Sequence, residues 1–541
     1  MQFQEQVSAL AIAYNEIPNN YLIDPIVEQR EYLSDGAMIQ WAGPTHDVYS
    51  PIHVKTNDGV HPFKIGSYPI CTEKEALIAL DAARAAYNDG RGEWPTMSIS
   101  NRIKCVENFI KAMLTKKDLV VNLIMWEIGK THADSVKEFD RTVEYIYLTI
   151  DALKDIDRNS SKFTIEQGIA AQIRRSPLGV VLCMGPFNYP LNETFTTLIP
   201  AIIMGNTLLF KPPKHGTLLH YPLLEAFKNC FPKGVVNTIY GRGNAIVPPL
   251  MKTGKIDVLT LIGSSKVAND LKKLHPKVNR LRAILGLDAK NAAIVTKNAN
   301  IQLAAKEIML GALSFNGQRC TAIKIVFAHH SIVDELNNLL IKAFKELQFG
   351  LPWEKNVTIT ALPEPNKPAY LNDLVNDAKK HGANILNEHG GFAEGSFFHP
   401  TLLYPVNKQM RVYHEEQFGP IVPVVAYEDI EEPIHYVIES THGQQVSIFS
   451  NNPDEISLLI DPLVNQVSRV NINSQCQRGP DAFPFTGRKD SAEGTLSVVD
   501  ALRSFSIRTL VAVKLTDENK TIINEIISAD NSNFLSTKYI F

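Results

Sequence analysis

Residues 178–185, LGVVLCMG, open a series of short apolar segments. NTLLFKP follows at 206–212, VVNTIYG at 235–241, IDVLTLIG at 256–263 and AAIV at 292–295. Runs of this length and character suit strands buried on both faces of a sheet. Helix-like stretches led by Leu191, Leu218 and Ala268 lie between them. The alternation is that of βαβ units, in which helices cover both faces of a parallel sheet. Such a sheet takes its ligands at the carboxyl ends of its strands. A second alternating region runs from 323 to about 470. The expected fold class is therefore α/β.

Upstream, EKEALIALDAARAAY at 73–87 reads as a helix. Residues 102–126 read as a second, with Ile103, Val106, Phe109, Ile110 and Met113 at helical spacing. Residues 135–153 read as a third, with Val136, Phe139, Val143, Ile146 and Ile150 on one face and Arg141 off it. Residues 1–50 carry no motif. The tail, 517–541, contains a short amphipathic segment and ends in Ile540 and Phe541. That end docks on a partner or packs on its own subunit.

Bulk properties narrow the function. A chain of 541 residues exceeds one hydrophobic core, so two or three domains are expected. Apolar residues make up 45% and charged residues 21%, an ordinary globular composition. The net charge of −3 gives no field that favours nucleic acid or an anionic membrane. Six cysteines (71, 105, 183, 230, 320, 476) show neither metal-ligand nor CxxC spacing. They read as the reduced thiols of a cytoplasmic protein with no metal site. The first 18 residues have no basic n-region, and no run is long enough to span a membrane.

The chemistry centres on SFNGQRCTA, 314–322. A glycine-hinged polar segment delivers Cys320 beside Arg319. A cationic neighbour favours thiolate, which is the nucleophile. A lone cysteine is as often an inert core residue.

FNGQRCTA resembles the active-site segment of the aldehyde dehydrogenase superfamily, and further motifs from about Pro51 to about Val513 agree with it in order. They are most similar to the branch of NADP-dependent, non-phosphorylating glyceraldehyde-3-phosphate dehydrogenases. The resemblance implies a doubly wound, Rossmann-like cofactor domain (1–154 and 176–285) and an α/β catalytic domain (286–495). It also implies a small oligomerisation element (155–175 and 496–541) and a homo-oligomer, dimer or tetramer, that shares a strand between subunits.

The same resemblance assigns roles. Cys320 attacks an aldehyde, and Asn188 of MGPFNYPLNE holds the resulting alkoxide together with a backbone N–H. Lys211 of LLFKPPKHG contacts the adenine ribose. Three residues on, NAD-specific relatives carry a glutamate. Lys214 stands there instead, and a lysine attracts a 2′-phosphate but cannot accept from a hydroxyl. NADP is thus the expected cofactor, with NAD the alternative if Lys214 is a plain surface lysine. Gly263 and Ser264 of LIGSSKVAN match the turn near the pyrophosphate, where a helix N-terminus offers N–H groups. Glu416 and Phe418 of EEQFGP match the residues that hold the nicotinamide ribose and pack by the ring. Arg141, Tyr189, Arg319 and Arg478 match positions that bind glyceraldehyde 3-phosphate. Arginine's planar fork suits a phosphate. Read singly, each arginine is a salt-bridged residue, Arg141 beside Glu138 or Glu144.

One motif departs from the pattern. Relatives carry LELGGK, whose glutamate activates the water that hydrolyses the thioester. The corresponding residues here, 285–290, read LGLDAK and put Gly286 at that position. The nearest acid, Asp288, serves as base or is only a turn residue. Three outcomes stay open: hydrolysis to 3-phosphoglycerate or to the acid of another anionic aldehyde such as a semialdehyde; transfer of the acyl group to CoA; or a catalytically silent protein with a binding role.

Overall fold

A computed structural model describes residues 10–57 and 59–540. The start of the N-terminal segment (1–9) and Phe541 of the apolar terminal pair lie outside the described residues. Two largely parallel sheets organise the chain. The first runs Val236–Thr238, Thr207–Lys211, Val180–Met184, Val258–Ile262 and Arg282–Gly286, with Ala492–Glu493 added antiparallel at its edge. The order reverses between Val180–Met184 and Val258–Ile262. A doubly wound sheet opens its ligand crevice beyond the carboxyl ends of strands at such a switch. Every residue of Val180–Met184 is buried, which is why the strand is an unbroken apolar run.

The second sheet runs Asn384–Ile385, Thr401–Tyr404, Ile421–Tyr427, Ile323–His329, Asn291–Val295, Gln445–Phe449 and Arg469–Ile472. The sequence grouped AAIV with the four apolar runs before it. Asn291–Val295 instead pairs with Ile323–His329 and Gln445–Phe449. An apolar run announces a buried strand but not the sheet it joins.

The helix Glu73–Tyr87 has the expected bounds and starts in a capping box between Thr72 and Glu75. The helix expected over 102–126 is two helices, Ile99–Leu114 and Lys117–Ile128. The first buries one stripe, including Ile103, Val106, Phe109, Ile110 and Met113. The second is buried from Val120 to Ile128 except Asn122, and the break falls in the polar run Thr115–Asp118. The third helix is longer than expected, His132–Ser160. The motif-free N-terminal stretch forms strands as well. Thr45–Thr56 pairs with Gly59–Pro69. The strand Glu31–Ser34 and the turn after it are tied to the first sheet by Leu33 N–H to Thr238 Oγ1 (2.9 Å) and Asp35 N–H to Asn237 Oδ1 (2.8 Å).

Phe163–Glu166, Ile169–Pro177 and Ser506–Lys514 form a separate antiparallel sheet. Ser506–Lys514 is one of its two edges, and Ile507, Leu510 and Val511 on it are exposed. Beyond the helix Asp517–Ser528 the tail folds back onto its own chain. Gln172 exchanges two hydrogen bonds with Ser536, Ser161 donates to Lys538 O, and Leu535 is buried. Among the described residues no helix is long and apolar enough to cross a membrane.

Candidate active site

A cavity of about 1180 Å³ lies at the carboxyl ends of the first sheet, with Met184, Lys211 and Ile262 in its wall. The segment that carries Cys320 closes the opposite side. Every residue singled out from the sequence lines this one cavity: Cys320, Asn188 and Asp288; Lys211, Lys214, Gly263, Ser264, Glu416 and Phe418; Arg141, Tyr189, Arg319 and Arg478.

Cys320 is delivered by a sharp turn after the helix Ile301–Leu313. Phe315 and Asn316 take left-handed φ values of 49° and 54°, followed by Gly317 at 69°. A Cβ on Gly317 would stand 2.7 Å from the carbonyl oxygens of Ala312 and Gly419, so only glycine fits. The Asn316 side chain pins the turn by exchanging hydrogen bonds with Thr360. Asn188 Nδ2 donates to the Gln318 carbonyl at 2.8 Å. An amide NH₂ has two hydrogens, so one N–H of Asn188 is left for a ligand.

The electrostatics of the thiol differ from the sequence expectation. Arg319 does favour the thiolate, but burial outweighs it and pushes the Cys320 thiol above its ordinary range. Lys324, the Gln444 amide and Arg319 oppose burial, while Glu416 reinforces it. Lys324 Nζ donates to the Cys320 carbonyl (2.8 Å) and pairs with Glu416 Oε1 (2.7 Å), which also accepts from Ala289 N–H (3.1 Å). Phe418, at φ 43°, stands edge-on to Phe187 with ring centres 5.7 Å apart.

Asp288 Oδ2 accepts from both the N–H and the hydroxyl of Ser265, each at 2.7 Å. The carboxylate is thus tied to the start of the helix Ser265–Leu274, which Ser264 caps through Val267 N–H. Gly286 ends the strand Arg282–Gly286 without a left-handed φ. A Cβ there would make only ordinary contacts, to Ile262 at 3.5 Å and Leu496 at 3.8 Å. The backbone does not require glycine at this position.

A second cavity of about 480 Å³ adjoins the first and shares Lys211 and Lys214 with it. Arg242, which sequence reasoning passed over, completes its cationic lining, and His46 beside it is held below the ordinary histidine value by burial and by Lys214 and Arg242. Burial brings Lys211 down to about 8, and its ammonium donates to Pro212 O. Burial also holds His215 down at about 4, so its imidazole is neutral at physiological pH. Cationic groups around a cavity at a switch point, beside a helix N-terminus, fit a phosphorylated dinucleotide.

At the other end of the main cavity the three arginines converge, with partners absent from the sequence reading. Arg141 makes a two-pronged contact with Asp481, at 2.7 and 3.0 Å, and not with Glu138 or Glu144. Arg478 pairs with Glu193 and with Asp481. Burial pushes Asp481 up, but Arg141 and Arg478 outweigh it and hold the carboxylate below its usual range. Arg319 donates to Leu310 O and Gly311 O, and among the described residues its buried Nε has no hydrogen-bond partner. Among the described residues no group of three or more side chains could hold a metal ion.

The profile of the aldehyde dehydrogenase family matches residues 51–511. An NADP-dependent glyceraldehyde-3-phosphate dehydrogenase from Streptococcus equinus is 32% identical over 458 residues, 84% of this chain and 93% of that protein. A malonate-semialdehyde dehydrogenase from Bacillus cereus is 29% identical over 444 residues, 80% of this chain and 89% of that protein. Among solved structures, an NADP-dependent glyceraldehyde-3-phosphate dehydrogenase from Bacillus halodurans, complexed with NADP, superposes with a TM-score of 0.82 at 30% identity. That superposition covers 90% of this chain and 100% of the other. The chain belongs to the aldehyde dehydrogenase family.

Proposed function

We propose that the chain oxidises an anionic aldehyde, glyceraldehyde 3-phosphate foremost, to its carboxylate with NADP as cofactor. One observation carries the reading. Cys320, the free amide N–H of Asn188 and Arg141, Arg319 and Arg478 line the same cavity as Lys211 and Lys214. Asp481 and Glu193 engage part of Arg141 and Arg478, and the N–H groups that remain, with Arg319, suit an anionic group better than an apolar one.

The Cys320 thiolate adds to the aldehyde carbon, and the carbonyl oxygen becomes an alkoxide. Asn188 Nδ2–H and the backbone N–H of Cys320 hold that oxygen; one such donor is worth on the order of 3 kcal/mol in the transition state. NADP, when bound, supplies the hydride acceptor. Lys214 and Arg242 would hold its 2′-phosphate, and Glu416 its nicotinamide ribose. The Cys320 thioester is then cleaved by water to give the carboxylate and restore the thiol. Deacylation is the step for which this chain is least equipped. Residue 286 brings no carboxylate, and Asp288, the proposed base, has Oδ2 occupied by Ser265.

The bare wall at Gly286 also favours a second reading, in which a thiol such as CoA takes the acyl group. A semialdehyde, the kind of substrate named for the Bacillus cereus relative, would present a carboxylate to the same arginines. For the assembly, we propose a homo-oligomer built through the exposed edge Ser506–Lys514. The test of substrate and acceptor is NADPH formation from glyceraldehyde 3-phosphate in phosphate-free buffer, with and without CoA. Turnover without CoA supports hydrolysis, and turnover only with CoA supports transfer. Turnover on malonate semialdehyde alone would replace the phosphate reading.

A further inference from the structure

The helix Asn192–Ile203, which follows the Asn188 turn, is buried at every residue and has no side-chain cap of its own. Its first N–H groups need acceptors. They find one in another helix: Glu138 Oε1 accepts from Leu191 N–H at 3.0 Å and from Asn192 N–H at 3.1 Å. The other oxygen of Glu138 pairs with Lys130 Nζ, and both side chains are wholly buried. Lys130 Nζ donates onward to the Asn188 carbonyl at 2.8 Å. The ammonium also lies 3.6 Å from the centre of the Tyr189 ring and 4.4 Å from that of Phe315. Lys130 reaches this point because Gly129, at φ 66°, ends the helix Lys117–Ile128. A Cβ on Gly129 would stand 2.3 Å from Ala361 O.

One ammonium therefore touches both halves of the reaction centre. It grips the backbone of Asn188 and the face of Phe315, which sits in the turn that delivers Cys320. Asn188 is held at both ends, its carbonyl by Lys130 and its amide by the Gln318 carbonyl. A buried charge pair is an expensive way to fill space, since an apolar pair of similar volume is often at least as stable. Its hydrogen bonds, however, fix directions that apolar packing cannot.

We propose that Lys130 and Glu138 are positioning residues for the oxidation step. The buried pair sets the Asn188 amide in the register that holds the alkoxide. The inference rests on the reading of Asn188 as an oxyanion donor.

The test is a double-mutant cycle read in the pre-steady-state burst of NADPH. Asn188→Ala alone should slow the burst by about 100-fold or more, the loss expected for one oxyanion donor. Lys130→Met should slow it by about 10-fold to 100-fold, because a misplaced donor loses much of its effect. Added to Asn188→Ala, Lys130→Met should cost less than about 3-fold more, since groups that act through one another are not additive. NADP affinity and the rate of Cys320 alkylation by iodoacetamide should stay unchanged, which a general loss of structure would not allow. Lys130→Met strands a buried carboxylate, so Lys130→Met/Glu138→Gln is run through the same cycle without an unpaired charge. Multiplicative losses in a background where Asn188→Ala is itself slow would overturn the positioning role and leave the oxyanion role standing. A burst unaffected by Asn188→Ala would remove both.

Discussion

Gly286→Glu should speed the steady state of this enzyme rather than damage it. The substitution meets no steric obstacle. The new Cβ would lie in ordinary contact with Ile262 and Leu496, and the φ of residue 286 is not left-handed. Replacing glycine also restricts the unfolded chain, so stability should change by no more than about 1 kcal/mol. The gain lies in chemistry. A positioned carboxylate that takes a proton from water contributes typically about 100-fold to 10,000-fold. In stopped-flow measurements the native chain should release about one NADPH per Cys320 in a fast phase, followed by a slow phase limited by deacylation. In Gly286→Glu the fast phase should be unchanged in rate and reduced in amplitude. The slow phase should rise by about 100-fold, until another step takes over. Gly286→Gln, of the same size but unable to take the proton, should show no such gain. A slow phase that stays within about 3-fold of the native rate in Gly286→Glu, with the burst intact, would refute the argument that a missing base at 286 limits turnover.

Three further outcomes follow from the geometry. Burial raises the Cys320 thiol above its ordinary value of about 8.5, so the thiolate fraction, and with it alkylation by iodoacetamide, should still be rising with pH beyond that value. Lys324→Met removes a group that opposes burial and should move the curve to higher pH; a plateau below about pH 8 in the native chain would contradict the assignment. Lys214→Glu and Arg242→Gln should each weaken NADP by about 10-fold to 100-fold in fluorescence titration while sparing NAD, because each removes a charge-assisted contact to the 2′-phosphate. Leu510→Asp, on the exposed edge Ser506–Lys514, should shift the protein toward monomer in sedimentation velocity with no loss of secondary structure, and an unchanged sedimentation coefficient would place the interface elsewhere.

The first sheet was legible because its strands are buried on both faces, and burial writes itself as an apolar run at Val180–Met184 and Val258–Ile262. Glu73–Tyr87 was legible from its alanine-rich run alone, and the capping pair Thr72 and Glu75 that starts it went unread. The break between Leu114 and Lys117 falls in the polar run Thr115–Asp118, a local signal that was passed over because apolar residues resume at helical spacing beyond it. Cys320 and Asn188 lie in short motifs, so their neighbourhood could be read. The partners of the arginines could not: Arg141 and Asp481 are 340 positions apart, and Arg478 and Glu193 are 285 apart. The same distance in sequence concealed the tie from Lys130 to Asn188, 58 positions on, and the tail's return to Gln172. Lys324, four residues after Cys320, could have been found as a second cation beside the thiol. Neither motif nor periodicity shows that burial outweighs both cations, since that depends on how the whole cavity closes around the sulfur.

The most direct test of the central claim is to mix the protein with NADP⁺ and glyceraldehyde 3-phosphate, quench within the burst, and weigh the peptide that contains Cys320. The account predicts a 3-phosphoglyceroyl thioester on Cys320, formed in step with NADPH and absent without NADP⁺ or in Cys320→Ser. NADPH formation that persists in Cys320→Ser, or the absence of both adduct and NADPH in the native chain, would contradict it.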